Sequence, residues 1–414
     1  MSALKKVRFA FDHHSASYAT TWPELAREIH RLDYPLAWSE SHGGYWVLAD
    51  WAATKASLED WETFSSDNDL DGTRKGGRGV TVPRQPYSLV LNESDPPVHT
   101  ARRRAEMPFF LPKMLRHWEQ VAQAHLDEAL AAVIEKGSCD LVRDVIVPTT
   151  ARTTFEIVGW DMSRWEDAAF SAHAAGFITP GAPGYPFEEM ARLRTTFRQM
   201  LADRRENPRE DIATALARAE VNGRPMTIDE GESMISALVF GGFDTTTSAA
   251  LHALIWLDRH RDVHARLIED VAYLNNAIEE FLRMFSPATG IARTAMRPVE
   301  LGGQRIEAGE PVYFWLAAAN RDPRKFEDPE RMWLERPNAR DHVAFSAGGH
   351  RCLGAPLAKV ELRLMLQTIL ARMPDYQIDH DGIEPYPSLK STNGLIRVPV
   401  TFTPATQGLV GAVA

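Results

Sequence analysis

One of the two cysteines of the chain lies in a glycine-rich run that could hold a metal ion. The run, FSAGGHRCLGAP, covers residues 345–356 and places Cys352 just before a predicted helix. Free N–H groups at a helix N-terminus stabilise a thiolate, and glycines let the backbone turn tightly against a flat partner. Gly354 leaves space beside the sulfur, and Phe345 can shield it from water. Taken alone, the run also fits a buried free cysteine or the nucleophile of a Cys/His hydrolase.

A second run interrupts the longest predicted helix, which extends from Thr227 to about Arg259. It reads FGGFDTTT and covers residues 240–247. Each glycine costs about 1 kcal/mol relative to alanine in a helix, and the threonines add a β-branched cost. Such a conflict is expected at functional sites, where a threonine hydroxyl can bond the carbonyl one turn back and open the helix. The alternative is close helix packing at the glycines, with Asp244 merely solvated.

Two charged pairs also stand at helical spacing. Glu280 and Arg283 share one face of a predicted helix, which is ordinary for a surface ion pair. His99 and Arg103 stand one turn apart on a helix that residues 95–97 can start, so both can face one anionic target. A solvated basic helix face is the alternative for this second pair.

Together these runs resemble the motifs of the cytochrome P450 superfamily, in its soluble bacterial form. Residues 345–354 fit the haem-binding signature F-x-x-G-x-H-x-C-x-G at every position. Gly241–Thr245 resembles the oxygen-activation motif A/G-G-x-D/E-T. Glu280–Arg283 resembles E-x-x-R, with Arg336 as the third member of a structural brace behind the cysteine loop. The motifs occur in the family's order between about residues 95 and 395.

The resemblance implies a role for each candidate residue. Haem b (iron protoporphyrin IX) would be the cofactor, and Cys352 would be the thiolate that binds its iron. Asp244 and Thr245 would form the acid–alcohol pair that delivers protons during dioxygen activation. The cofactor-binding residues would be His99, Arg103, Arg293, Phe345, Gly348, His350, Cys352 and Gly354. The substrate pocket would be lined by Ala237, Phe240, Gly241, Ala288, Thr289, Leu395 and Ile396.

The same resemblance predicts a haem-thiolate monooxygenase. It would hydroxylate, or oxidatively dealkylate, a small to medium hydrophobic substrate with O₂. Electrons would come from a ferredoxin, served by a ferredoxin reductase and NAD(P)H. The segment around residues 38–49 and the helix break resemble relatives that oxidise terpenes. The alternative is a haem-thiolate binding or sensing protein without turnover, which would need no Asp244–Thr245 pair.

Composition narrows the class of protein. The chain has 414 residues and a net charge of −10, which argues against nucleic-acid binding because that needs a basic surface. We found no apolar run long enough for a signal peptide or a membrane span. Two cysteines are too few for a disulfide framework. These features predict a cytoplasmic, monomeric protein without a membrane or nucleic-acid partner.

Hydrophobic periodicity predicts a mainly α fold with a minor β part. The resemblance implies the cytochrome P450 fold, mainly α with small β-sheets, and haem between the long central helix and the cysteine-bearing helix. One domain would span residues 1–414, with a β-richer part over about residues 1–64. Loops Ser65–Leu91 and Ile178–Pro186 would frame the substrate entrance. Cys139, Thr246 and Thr247 receive no role. The predicted helices are Thr21–Leu32, Leu115–Lys136, Pro148–Trp160, Ala168–Phe177, Phe187 to about Arg205, Thr227 to about Arg259, Val271–Phe285 and Leu353–Met373.

Overall fold

The computed structural model describes residues 6–73, 75–85, 88–178, 182–390 and 392–405. Helices form most of its regular structure. Their bounds are α1 Tyr18–Ile29, α2 Trp51–Glu59, α3 Val98–Glu106, α4 Pro112–Ala131, α5 Val147–Val158, α6 Trp165–Phe177, α7 Phe187–Glu206, α8 Ile212–Ala217, α9 Ile228–Gly242, α10 Asp244–Asp258, α11 His264–Glu269, α12 Val271–Phe285, α13 Leu316–Ala319 and α14 Ala355–Arg372.

The strands are short and form small sheets. Their bounds are β1 Leu36–Ser39, β2 Tyr45–Leu48, β3 Phe64–Ser65, β4 Ser138–Asp140, β5 Glu220–Val221, β6 Arg224–Pro225, β7 Ile291–Ala295, β8 Val299–Leu301, β9 Gln304–Ile306, β10 Pro311–Phe314, β11 Gln377–Ile378, β12 Glu384–Pro385, β13 Leu395–Arg397 and β14 Pro399–Thr401. The largest sheet has the order β1-β2-β10-β7-β3, with β10 parallel to β2 and the other neighbours antiparallel. The mainly α prediction is therefore confirmed.

The β-richer N-terminal part is joined to the rest of the chain by this sheet. In β2, Val47 pairs with Tyr313 of β10, and in β3, Phe64 pairs with Ala295 of β7. The largest hydrophobic core lies among α4–α10, α12 and α14, apart from the sheet. No helix among the described residues is long and apolar enough to cross a membrane. The single domain over residues 1–414 stays a prediction.

Most predicted helices are present, with ends displaced by a few residues. Helix α1 begins at Tyr18 and not at Thr21, and α4 begins earlier and ends at Ala131. Helix α14 begins at Ala355, because Pro356 suits the first helical turn and Gly354 caps it. The two predicted entrance loops form no helix in their described part, and residues 74, 86, 87 and 179–181 lie outside the described residues.

The long helix predicted from Thr227 to about Arg259 is two helices. Thr227 caps α9, because its hydroxyl accepts the Glu230 N–H while the Glu230 carboxylate accepts the Thr227 N–H, at 3.1 and 2.9 Å. Phe243, with φ −98° and ψ −38°, then separates α9 from α10. The break falls inside the run with poor helix propensity, which confirms the predicted interruption.

Candidate active site

The cysteine loop joins an irregular segment to α14. Its turn is closed by the Cys352 N–H, which donates to the Phe345 carbonyl at 2.9 Å. Gly348 has φ +67°, and a Cβ at this position would stand 2.6 Å from the Leu58 carbonyl oxygen at the end of α2. Gly348 is thus needed for a close approach to α2. It does not line the cavity that Cys352 lines, and its contact with a cofactor stays a prediction.

Cys352 lines this cavity and is exposed to it. Desolvation raises the pKa of the Cys352 thiol, and the backbone N–H groups of Gly354 and Ala355 act in the opposite direction, together with the guanidinium groups of Arg103 and Arg351. A Cβ at Gly354 would lie 4.0 Å from the sulfur, so the glycine leaves space beside it. With a raised pKa the thiol keeps its proton until a cation bound in the cavity stabilises the thiolate.

The cavity lies between the cysteine loop and the break between α9 and α10, and has a volume of about 350 Å³. Gly241 opens to it, since a Cβ there would meet nothing within 4 Å. The apolar part of the lining comes from Leu91, Phe110, Ile157, Val158, Ala237, Leu238, Ala249, Leu282, Ala288, Ile291, Leu316 and Leu357. An apolar pocket with few polar groups suits a hydrophobic guest.

A group of histidine and arginine side chains stands at one edge of the cavity. The rings of His99 and His350 lie against each other with centroids 3.9 Å apart and planes inclined at 36°, and Arg103 lines the cavity beside them. Burial, Arg103 and Arg293 lower the pKa of His99 to about 4. Burial and the charges of Arg293 and Arg103 also lower the pKa of His350, to about 2. Burial lowers the pKa of Arg293 itself to about 10.

Three buried nitrogen atoms in this group have no hydrogen-bond partner among the described residues. They are Nε2 of His99, Nε2 of His350 and Nη2 of Arg293. Buried polar atoms are almost always hydrogen-bonded, so these donors indicate an anionic partner with several acceptor oxygens. The two propionates of haem b would supply such oxygens, and Cys352 would supply a thiolate to its iron. The donor set therefore fits haem b, which His99, Arg103, Arg293, His350 and Cys352 would hold.

The predicted brace is a buried ion-pair cluster. Arg283 donates to both carboxylate oxygens of Glu280, at 2.7 and 2.8 Å, and Arg336 Nε donates to the same carboxylate at 3.0 Å. Their side chains are 0%, 0% and 1% exposed, so the surface-pair alternative is wrong. The arginines also donate to the carbonyls of Asn320, Pro329, Glu327 and Arg331. The cluster thus fixes the irregular segment that leads to the cysteine loop.

On the opposite side of the cavity, Thr245 and Asp244 begin α10. The Thr245 hydroxyl donates to the Gly241 carbonyl at 2.9 Å, which is the bond expected to open the helix. Asp244 is buried, and the alternative of a solvated carboxylate is wrong. Its Oδ1 accepts from the Tyr386 hydroxyl at 2.6 Å and lies 2.9 Å from His173 Nδ1. Thr245 lines the cavity and Asp244 does not.

The predicted wall residues divide into two groups. Ala237, Gly241 and Ala288 line the cavity. The other four lie outside its lining: Phe240, Thr289, Leu395 and Ile396. Each is placed elsewhere by its element, since the Phe240 side chain is 40% exposed on α9, Thr289 lies 3.2 Å from the Tyr313 hydroxyl, and Leu395 and Ile396 pack in the cores.

Several residues without a predicted role have defined surroundings. The Thr246 hydroxyl donates to the Gly242 carbonyl at 3.2 Å, and Thr247 is hydrogen-bonded to Thr150 at 2.9 Å. Burial and two neighbouring aspartates raise the pKa of Cys139 to about 12, so this thiol stays protonated. Cys139 lies in β4, paired with Val400 of β14. Cys139 therefore has the surroundings of a residue that supports the fold.

Four polar residues near the site were missed. His173 and Tyr386 bond Asp244, and Glu106 and Glu361 line the cavity as buried carboxyl groups. A lone histidine in the alanine-rich helix SAHAAGF was the available signal for His173. Glu106 lies one turn after Arg103, so the sequence suggested that it was solvated on the same helix face as the arginines. Nothing in the local sequence distinguishes Tyr386.

The site combines a thiol at an apolar cavity, buried nitrogen donors that suit propionates, and a helix break on the opposite side. This combination is typical of a haem-thiolate oxidoreductase. Comparison with known proteins agrees. The family model "Cytochrome P450" matches residues 183–389. The chain is 31% identical over 340 residues to a steroid C26-monooxygenase of Mycolicibacterium smegmatis, covering 80% of this chain and 84% of that protein. It is 30% identical to a linalool 8-monooxygenase of Pseudomonas putida, covering 76% of each.

A solved structure agrees with the sequence comparisons. Cytochrome P450-153 from Novosphingobium aromaticivorans superimposes with a TM-score of 0.82 at 25% identity, covering 95% of this chain and 99% of that one. The chain belongs to the cytochrome P450 family, is an oxygen-incorporating oxidoreductase and uses haem b. Its function needs a substrate, O₂ and a redox partner. The named monooxygenases do not favour the alternative of a binding or sensing protein without turnover.

Proposed function

We propose that this enzyme hydroxylates, or oxidatively dealkylates, a small to medium hydrophobic molecule with electrons from a ferredoxin and its NAD(P)H-dependent reductase. The proposal depends above all on one observation: Thr245 and Cys352 line the same cavity from opposite sides. When bound, haem b supplies the iron that activates dioxygen, and the protein supplies the axial thiolate and the protons. The overall reaction consumes O₂, two electrons and two protons, and gives oxygenated product and water.

The residues divide the work between the two sides of the cavity. Cys352 is the iron ligand, and His99, Arg103, Arg293 and His350 hold the propionates. Thr245 presents its hydroxyl next to the Gly241 carbonyl and delivers protons at the cavity wall. Asp244, the residue before it, is the acid that resupplies them. Phe345 lines the cavity near the sulfur and excludes water there.

The substrate class follows from the lining of the cavity. Most of the residues that face it are apolar, and the relatives act, by their names, on a steroid and on linalool. We propose a terpenoid-like hydrocarbon skeleton. The cytoplasmic location, the monomeric state and the use of a ferredoxin stay predictions.

The haem-thiolate centre is tested by adding carbon monoxide to the reduced protein. We expect a Soret band at about 450 nm, because thiolate ligation shifts it to the red. The variants Cys352→Ala and Cys352→His should lose that band, and Cys139→Ala should keep it as a matched control. A band at about 420 nm in the intact wild type, or no bound haem, would overturn the assignment.

The substrate proposal is tested by optical titration of the ferric protein. Terpenes, fatty acids, aromatic acids and steroids are added in turn, and displacement of water from the iron is followed. Terpenes should give the largest high-spin shifts. The best compound is then incubated with a surrogate ferredoxin, its reductase and NADH, and the product is identified. A response confined to aromatic acids would contradict the terpenoid proposal.

A further inference from the structure

Asp244 is held by two side chains that come from distant parts of the chain. His173 Nδ1, on α6, lies 2.9 Å from Asp244 Oδ1. The Tyr386 hydroxyl donates to the same oxygen at 2.6 Å, and Tyr386 itself lies in the C-terminal part of the chain. The Tyr386 oxygen is 3.0 Å from His173 Nδ1, so the three groups form a closed triangle. We name this triangle the Asp244 cluster.

Hydrogen-bond logic fixes the donors within this cluster. The Tyr386 hydroxyl donates its only proton to Asp244, and burial beside that carboxylate raises the pKa of Tyr386 well above its usual range. His173 must therefore carry its own proton on Nδ1 to face the carboxylate and the tyrosine oxygen favourably. The opposite nitrogen, Nε2, is the second atom through which an imidazole can exchange a proton.

That opposite nitrogen is buried and has no hydrogen-bond partner among the described residues. The whole His173 side chain is buried, at 5% exposure. An unpaired polar atom in such a position is expected to bind a water molecule. The imidazole thus stands between Asp244 and a site for water.

Packing around the cluster is too close for another arrangement of α6. A Cβ at Gly176 would stand 3.3 Å from Asp244 Oδ2 and 3.6 Å from the Tyr386 oxygen. A Cβ at Gly394 would stand 2.3 Å from the Tyr386 ring. Glycine at both positions lets α6 and the C-terminal segment close on the carboxylate.

We propose that His173 is a positioning residue and the immediate proton donor of Asp244, with Tyr386 fixing the carboxylate between them. In this step the Nδ1–H bond of His173 breaks and an O–H bond forms on Asp244. A proton delivered by water from solvent binds Nε2 as the Nδ1–H bond breaks, and Asp244 then passes its own proton to Thr245. The ring is left with its proton on Nε2 and regains the Nδ1–H tautomer by proton exchange with water between cycles. One proton enters and one leaves, and no electrons move. The inference rests on the proposed function of Asp244.

Two substitutions of His173 test the proton relay. His173→Asn keeps an N–H near the place of Nδ1 but has no second ring nitrogen, and His173→Phe keeps only the ring shape. Both should slow NADH consumption by about 10²-fold with a surrogate ferredoxin and the compound of largest spectral shift, and both should raise the solvent deuterium isotope effect. Wild-type rates in His173→Asn would overturn the relay.

Matched controls guard against general damage to the fold. His264→Asn removes a buried histidine bonded to the Leu257 carbonyl at 2.9 Å, and Tyr376→Phe removes a buried hydroxyl bonded to the Leu254 carbonyl at 2.8 Å. Both should leave NADH consumption and the isotope effect unchanged. All variants should keep the carbon monoxide band, which reports the haem-thiolate centre. Loss of that band in the wild type would defeat the proposed function itself, whereas an intact band with wild-type rates in His173→Asn would defeat only this inference.

A spectroscopic test needs no turnover. Protein labelled with ¹⁵N-histidine is prepared as the diamagnetic ferrous carbon monoxide complex, and the His173 signals are assigned by their absence in His173→Asn. They should show the Nδ1–H tautomer, and both Asp244→Asn and Tyr386→Phe should shift them. A proton on Nε2 alone, or signals unmoved by Asp244→Asn, would overturn the proposal even if the His173 variants fold poorly.

Discussion

The two walls of the cavity are built in opposite ways. Behind the cysteine loop, Glu280 is fully buried between Arg283 and Arg336, and backbone carbonyls take up their remaining donors. Across the cavity the long helix is broken at Phe243, and Asp244 depends on side chains from two other elements.

The wall behind the cysteine loop is held in one arrangement, and we call it the fixed wall. The wall at the helix break can change its hydrogen bonds, and we call it the rearranging wall. Breaking the brace leaves a buried charge without a partner, which is very costly. Breaking the Asp244 cluster removes single hydrogen bonds to a carboxylate, each worth about 1.5–3 kcal/mol. A ligand for iron must hold one geometry, whereas a group that passes protons must change partners in every cycle. The following four predictions test this contrast, beginning with the largest expected effect.

Removing the negative charge of Glu280 from the brace should strongly destabilise the fixed wall. Glu280→Gln leaves two buried guanidinium groups without a counter-charge, and we expect a loss of about 3–5 kcal/mol in the free energy of unfolding. Urea unfolding of the haem-loaded protein measures it. Glu335→Gln is the matched control, because Glu335 forms an exposed pair with Arg266 worth at most about 1 kcal/mol. Equal losses in the two variants would contradict the contrast.

The propionate donors should control haem affinity and not proton delivery. His99→Leu and Arg293→Leu each remove a buried donor, which should weaken haem binding by about 1.5–3 kcal/mol. The rate of haem transfer to apomyoglobin measures this. Arg104→Leu, on the exposed face of the same helix as His99, should transfer haem at the wild-type rate. Unchanged transfer from Arg293→Leu would remove that residue from the cofactor site.

On the rearranging wall, Thr245→Ala should change chemistry and leave stability nearly untouched. We expect product formed per NADH to fall by about tenfold, with hydrogen peroxide released in its place, because proton delivery fails. The melting temperature should change little, since only one hydroxyl bond is lost. Thr195→Ala removes the same type of bond, from Thr195 to the Ala191 carbonyl at 2.9 Å, and should remain coupled. Intact coupling in Thr245→Ala would refute its role.

The last prediction concerns Glu106, which lines the cavity. Burial raises its pKa from 4.5 to about 8, while Arg103 opposes the shift. The folded protein therefore binds this proton more tightly than the unfolded chain, and stability falls as pH rises from about 5 through 8, by at most about 1.4 kcal/mol per unit.

Glu106→Gln should flatten this pH dependence. Urea unfolding at pH 6 and pH 9 provides the measurement, with the exposed Glu28→Gln on α1 as control. If wild type and Glu106→Gln lose the same stability between the two values, the raised pKa of Glu106 is refuted.

Sequence reasoning reached the fixed wall more completely than the other. Cys352, Glu280 and Arg336 could be located because each belongs to a short motif whose members are set by local spacing and motif order. His173 and Tyr386 could not, because they are 71 and 142 positions from Asp244 and meet it only through packing.

The wall residues show the limit for the cavity itself. Leu395 and Ile396 are apolar, as residues that line a pocket often are. Apolar residues are equally expected in the hydrophobic cores, and these two pack there. Phe240 lies three residues before the helix break, where a small change of helical phase decides whether a side chain faces the cavity or solvent. It is exposed. Local sequence does not set that phase.

His99, His350 and Arg293 also bear on how the enzyme is made in a cell. Their buried donors have no partner among the described residues, so bound haem would contribute part of the free energy that keeps this edge of the molecule folded. A ligand that binds only the folded form raises its population by mass action. We expect the steady-state amount of this enzyme to follow the haem supply of its host, so that haem biosynthesis limits its abundance alongside transcription.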